Sequence, residues 1–138
     1  MLRTDQIEKA LKNYPNFHGV YAVDKLPKSP RKGMYIANTE PSNEDGEHWV
    51  LFNIPDSGPI EFFDTFGRQP KKRWSGEWVY NSQVVQSPLS TACGYHVLWF
   101  AYLRRMYSFR KILSFYSEDL QENDKVVQQF VRRVFDFQ

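Results

Sequence analysis

One stretch, residues 86–100, most restricts what this chain can fold into. From Gly94 to Arg104 the sequence is apolar on nearly every side, which predicts a buried helix rather than an amphipathic surface helix. The residues just before it favour a helix start: Pro88, Ser90 and Thr91. The single cysteine, Cys93, therefore falls where a loop runs into a buried helix.

Two interpretations of Cys93 follow from this position. A thiol in the first turn of a helix lies beside unpaired backbone N–H groups and the positive end of the helix dipole, which favour the thiolate. Cys93 would then be a nucleophile. The alternative is that it is one more small buried hydrophobe, which is the ordinary state of a lone cysteine. The surrounding sequence has to distinguish the two.

Length and composition limit the classes of protein that remain. The 138 residues predict a single domain spanning 1–138, and an apolar content of 41% is enough for a core. A single cysteine excludes an internal disulfide, and the three histidines lack zinc-type spacing, so we expect no metal site. No stretch of 18 consecutive apolar residues occurs, and no targeting segment is evident. We therefore expect an intracellular, non-secreted protein without a membrane partner.

The order of predicted elements favours an α+β fold, because a run of strands is followed by a run of helices. Thr4 or Asp5 is expected to cap a first helix, which closes at Pro15. The last helix is expected to start near Asn123 or Asp124, with an apolar stripe of Val126, Val127, Phe130, Val131 and Val134. Between them we predict strands at 17–23, 34–38, 49–54, 60–64, 78–80 and 83–85, a polar loop at 39–47, and helices at 94–104 and 109–115.

A hairpin in the middle of the chain brings two further chemical groups together. Residues 55–58 (Pro-Asp-Ser-Gly) supply the turn between the strands at 49–54 and 60–64. If the hairpin closes symmetrically, His48 and Asp64 lie at the open ends of adjacent strands and could touch.

A cysteine protease needs a thiolate, a base, a group that orients the base, and donors for the oxyanion. Cys93, His48 and Asp64 are candidates for the first three. The side-chain amide of Gln86, seven residues before Cys93, can join the Cys93 backbone N–H as the oxyanion hole.

Each candidate also has an ordinary structural interpretation. His48 could end a strand at the surface, and Asp64 could be a turn residue that bonds its own backbone. His96 is a rival base, because it lies one turn after Cys93 on the same helix. It could equally be a half-buried core residue.

Three blocks of the sequence carry a resemblance to a known family. They are Gly46-Glu-His48-Trp49, then Glu61-Phe-Phe-Asp64-Thr-Phe-Gly67, then Gln86-Ser-Pro-Leu-Ser-Thr-Ala-Cys93-Gly94. In order and internal spacing they resemble the active-site blocks of the adenovirus maturation protease family, adenain, in the wider group that includes the SUMO-specific (Ulp-type) proteases. The resemblance covers about residues 5–107.

The resemblance implies Cys93 as nucleophile, His48 as base and Gln86 as oxyanion donor. Asp64 takes the acidic position, where the adenovirus enzymes generally have glutamate and the SUMO-specific proteases have aspartate. Trp49 would pack beside the catalytic pair and, with Gly94, line a narrow substrate slot.

For the whole molecule, the resemblance implies a papain-like cysteine protease fold: a central mixed or antiparallel sheet of about five strands, with the helix that bears the nucleophile packed on it. It implies an endopeptidase of viral maturation that cuts precursor proteins next to glycine. It implies no cofactor for the chemistry. If viral, it would act in the host nucleus or virion, as a monomer. The alternatives are a deconjugase of ubiquitin-like modifiers, an acyltransferase, or a non-catalytic binding module of the same fold.

Two departures from the family affect its activators. The adenovirus enzyme is activated by a disulfide-linked peptide and by DNA, and this chain has no second cysteine for such a link. A non-covalent activating peptide or DNA stays open. Three basic clusters could track DNA phosphates or be solvated surface charge: Lys28/Arg31/Lys32, Arg68/Lys71/Lys72/Arg73 and Arg104/Arg105/Arg110/Lys111.

Overall fold

The architecture is that of a mixed sheet with helices packed against it, in a computed structural model that describes residues 1–39 and 48–136. The strands are β1 (Phe17–Ala22), β2 (Gly33–Asn38), β3 (Trp49–Ile54), β4 (Ile60–Phe63) and β5 (Trp78–Tyr80). The helices are α1 (Thr4–Leu11), α2 (Cys93–Leu103), α3 (Phe109–Leu113) and α4 (Leu120–Phe135), with a short 3₁₀ turn at Val23–Lys25. The α+β class and the five-stranded mixed sheet are confirmed.

The sheet has its strands in sequence order, from β1 to β5. The two outer pairs are parallel, and the pairs β2–β3 and β3–β4 are antiparallel. The predicted hairpin is therefore present, with Leu51 opposite Phe63 and Asn53 opposite Glu61. This register places the residue before β3 and the residue after β4 at the same end of the sheet.

Helix α2 is apolar on nearly every side because it is enclosed between the sheet and α4. Phe63 of β4 stacks on Phe100 of α2, with ring centroids 4.7 Å apart. The opposite face of the sheet has its own apolar cluster, which includes Val50 and Phe52. Since both faces are covered, β3 has buried apolar side chains on both of its faces, and Asn53 is its one polar residue.

The predictions for three elements are wrong: the ends of the first helix, the strand at 83–85 and the start of the last helix. Helix α1 begins after Arg3, whose N–H is satisfied by Gln6 Oε1 at 2.8 Å, and it ends at Leu11, before Pro15 is reached. The predicted strand at 83–85 is a loop, because side-chain amides take the place of a neighbouring strand there. Asn81 Nδ2 donates to the Gln83 carbonyl at 3.0 Å.

The last helix also starts earlier than predicted. Asp119 caps α4 by accepting from the Glu122 N–H at 3.1 Å, so the helix begins at Leu120. Its buried residues are Asn123, Asp124, Val127 and Val131. Val126 is 50% exposed and Val134 is 37% exposed, so these two residues of the predicted apolar stripe are not buried. The buried face of α4 includes the polar residues Asn123 and Asp124 instead. The predicted polar loop at 39–47 lies almost entirely outside the described residues.

Candidate active site

His48 and Asp64 are joined by a hydrogen bond at the end of the β3–β4 hairpin. His48 Nε2 lies 2.8 Å from Asp64 Oδ1, and both side chains are buried. The imidazole also stacks on the Phe66 ring, with centroids 4.8 Å apart. The ring is thus held by one polar contact and one flat apolar contact.

The Asp64 carboxylate is held in its charged form. Oδ1 also accepts from the Phe66 N–H at 2.9 Å, and Oδ2 accepts from Arg68 Nε at 3.0 Å. Burial alone would raise the pKa of Asp64, but these donors and His48 outweigh it, so the pKa is lowered. A carboxylate only accepts hydrogen bonds, which assigns the proton to His48 Nε2 and leaves Nδ1 with its lone pair.

Cys93 is the first residue of α2, and its side chain is buried beside His48. Its sulfur accepts a hydrogen bond from the Trp49 backbone N–H at 3.5 Å. Burial would lower the pKa of His48, but hydrogen bonding and charge interactions with Asp64 and Cys93 outweigh it, and the pKa is raised. The imidazole is therefore hydrogen-bonded to the acid through Nε2, and the nearby thiol of Cys93 contributes to its raised pKa.

Gln86 is fully buried, and its side-chain amide is fixed at both ends. Its Oε1 accepts from the Thr65 hydroxyl, and its Nε2 donates to the Ser90 carbonyl at 2.9 Å. These two bonds hold the amide in one orientation, so it does not swing freely. A primary amide has two N–H groups, so one remains beyond the bond to Ser90.

Trp49 and Gly94 meet beneath the N-terminal residues. The Trp49 indole N–H donates to the Leu2 carbonyl at 3.1 Å, and Trp49 is only 4% exposed. A Cβ added to Gly94 would lie 2.9 Å from the Leu2 Cβ and 3.2 Å from Trp49 Cδ1. The two residues expected to line a substrate slot are in contact, and Leu2 packs on both of them.

His96, the rival base, is turned toward another part of the core. It is fully buried, with Nδ1 2.7 Å from the Tyr116 hydroxyl and Nε2 2.8 Å from Asp124 Oδ1. Both ring nitrogens are therefore occupied, and neither is available to Cys93. His96 is also more deeply buried than the half-buried residue expected from the sequence.

Sequence reasoning missed several residues that hold this site. Asn81 accepts from the Asp64 N–H at 3.1 Å and donates to the Asp64 carbonyl, which fixes the backbone of the acid. Thr65 holds Gln86, as described above. Asn81 and Thr65 carry no recognisable signal in sequence. Asn123 and Asp124 did carry one, because they precede Val127 and Val131 at helical spacing and so fall on the buried face.

Several side chains of the basic clusters bind other groups of the protein itself. Arg68 bonds Asp64, Arg104 is paired with Glu61 at 2.8 Å, and Arg73 donates to the Val23 carbonyl at 2.7 Å. The Arg105 guanidinium lies over two tyrosine rings. DNA binding by these clusters stays a prediction.

Residues 1–39 and 48–136 contain neither a metal-binding cluster nor a membrane-spanning helix. Within these ranges no group of three or more His, Cys, Asp or Glu side chains is arranged to hold a metal ion. In the same part of the chain, no helix has the length and apolar character needed to cross a bilayer. The chain matches no known family model, and no curated protein matches it either.

Proposed function

We propose that this protein is a cysteine peptidase with Cys93 as nucleophile, His48 as base and Asp64 as the acid that orients His48. The observation that supports it most is the position of the His48 imidazole, which bonds Asp64 through Nε2 and interacts with Cys93. This chemistry requires a nucleophile next to an imidazole that a carboxylate orients.

The reaction follows from these contacts. His48 Nδ1 takes the thiol proton, and the Cys93 sulfur attacks the scissile carbonyl carbon to form a C–S bond and an oxyanion. The Cys93 backbone N–H and the second N–H of the Gln86 amide stabilise that oxyanion. The C–N bond then breaks as His48 gives its proton to the leaving amine. Water, deprotonated by His48, hydrolyses the thioester and regenerates the thiol.

The likeness of the three sequence blocks to adenain suggests the substrate class. We propose protein substrates with glycine next to the cleaved bond. A narrow slot with bulky walls would favour glycine at that position, because it excludes larger side chains.

The first test is the rate of Cys93 alkylation by iodoacetamide across pH. We expect wild type to react at about pH 6, and His48→Ala to lose that low-pH reactivity, because it lacks the proton acceptor. The matched control is His18→Ala, since His18 lies outside the site and bonds the Lys32 carbonyl. If His48→Ala and His18→Ala alkylate alike, the proposed pair does not exist.

The second test concerns substrate. Fluorogenic peptides with glycine on the acyl side of the bond are compared with the same peptides carrying alanine, and with a ubiquitin-like modifier bearing a C-terminal fluorogenic amide. Cleavage of the glycine peptides, abolished in Cys93→Ser, supports an endopeptidase. Cleavage of the modifier alone would reassign the enzyme as a deconjugase. No turnover of either, with inert Cys93, would favour a binding module.

A further inference from the structure

The segment that carries Gln86 is held on both sides by adjacent residues of α4. Asn123 Nδ2 donates to the Val85 carbonyl at 3.1 Å, and Asp124 Oδ2 accepts from the Ser87 N–H at 3.2 Å. Val85 and Ser87 are the immediate neighbours of Gln86. The position of the Gln86 backbone is therefore set by two helix residues that lie 38 and 37 residues after their partners in the chain.

Asp124 has a second partner, on the helix that begins with Cys93. Its Oδ1 lies 2.8 Å from Nε2 of His96, which is three residues after the nucleophile. Burial lowers the pKa of His96 more than Asp124 raises it, so the imidazole is neutral. The pKa of Tyr116 is raised well above its ordinary value by burial. The Tyr116 hydroxyl thus donates to Nδ1, and Nε2–H donates to Asp124.

One carboxylate consequently links the two parts of the proposed oxyanion hole. Its Oδ2 holds the segment of Gln86, and its Oδ1 holds the helix whose first N–H belongs to Cys93. None of the buried side-chain nitrogen and oxygen atoms in the described part of the chain lacks a partner. A buried polar network that is fully satisfied fixes its members in one arrangement, whereas a half-satisfied network is costly.

We infer that Asp124, with Asn123 and His96, is a positioning clamp that sets the Gln86 amide at its distance from the Cys93 N–H. This inference rests on the proposed function. None of the three residues contacts the reacting atoms, so they are positioning residues rather than catalytic ones. The last helix is thereby part of the active-site architecture, although the family resemblance does not extend to it.

Two reactions of Cys93 test the clamp, because only one of them needs an oxyanion hole. Iodoacetamide alkylates sulfur by displacement of iodide and develops no oxyanion. A peptide aldehyde ending in glycinal adds the thiol across its C=O bond, and the resulting hemithioacetal oxygen lies where the oxyanion would form. Its Kd is measured by the protection of Cys93 against iodoacetamide, so no natural substrate is needed.

In Asp124→Asn we expect the aldehyde Kd to rise by roughly tenfold to hundredfold, since small misplacements of a reacting group cost that much. The alkylation rate should stay within about twofold of wild type, because Cys93, His48 and Asp64 are untouched. Asn123→Ala should behave alike. The matched control is Lys125→Ala, an exposed neighbour on the same helix, with no expected change in either reaction.

The clamp also predicts non-additivity. Once Gln86→Ala has removed the amide, adding Asp124→Asn should raise the aldehyde Kd little further. Wild-type aldehyde affinity in Asp124→Asn overturns the inference, and so does full additivity with Gln86→Ala. If Asp124→Asn and Asn123→Ala both lower the alkylation rate as much as the aldehyde affinity, the network stabilises the fold and does not position Gln86, and the inference is overturned. Failure of the proposed function is seen separately, as alkylation that does not depend on His48.

Discussion

The His48 imidazole and the Asp64 carboxylate meet at 2.8 Å although they are 16 residues apart in the chain. The β3–β4 register brings them to one end of the sheet, and Asn81 fixes the Asp64 backbone there. The carboxylate then determines which imidazole nitrogen is protonated. The β3–β4 hairpin thus orients the His48 imidazole.

Asp64→Asn tests that orientation. The asparagine side chain has the size of aspartate, but its NH₂ group donates hydrogen bonds, so it no longer fixes the proton on His48 Nε2. It also lacks the negative charge that raises the pKa of His48. We expect kcat/KM on a glycine peptide to fall by about 10²–10⁴-fold, and the low-pH alkylation of Cys93 to fall with it. Asp64→Glu keeps the charge and should retain more activity. Equal rates for wild type and Asp64→Asn would remove Asp64 from the mechanism.

The free energy of unfolding should depend on pH because of the His48–Asp64 pair. The folded pKa of His48 is raised above the ordinary value of 6.5, so the folded state binds this proton more tightly than the unfolded state. Its contribution is complete below pH 6.5 and is lost as the pH rises through the folded pKa. Urea unfolding should therefore show a larger gap between wild type and His48→Gln at about pH 5.5 than at about pH 9. A gap that is constant with pH would contradict the raised pKa.

Thr65→Val tests how Gln86 is held. Valine nearly matches threonine in shape but cannot donate to Gln86 Oε1, which is left unpaired in a buried position. We expect a loss of about 1–3 kcal/mol in unfolding free energy. We also expect a lower kcat with little change in KM, because the oxyanion donor is misplaced. Thr65→Ser keeps the hydroxyl and is the matched control. The idea fails if serine and valine behave alike.

Part of this site was accessible from sequence, and part was not. The turn at residues 55–58 and the two flanking apolar runs predict the hairpin, and the hairpin predicts that His48 and Asp64 meet. The loop-to-helix junction likewise predicts the position of Cys93. These are local relations, set by strand and helix periodicity.

The contacts of Asn123 and Asp124 are of another kind. They depend on where α4 docks against the loop around Gln86, which no periodicity encodes. The predicted start of α4 near Asn123 or Asp124 was wrong for the same reason. Asn and Asp are common helix-capping residues, but here both are buried inside the helix. Tertiary packing decided both outcomes.

Gly94→Ala tests the close packing beside the nucleophile. The new Cβ would lie 2.9 Å from the Leu2 Cβ, closer than side-chain carbons pack, so the N-terminal residues or α2 must shift. Alanine favours a helix over glycine by about 1 kcal/mol, but overpacking of a tight core costs about 1–3 kcal/mol. We expect a net loss of unfolding free energy in urea titrations, together with slower alkylation of Cys93. Leu2→Gly removes the opposing carbon, so the double variant Leu2→Gly/Gly94→Ala should lose less than the sum of the two single variants. If the losses simply add, the contact between Leu2 and Gly94 does not constrain the site.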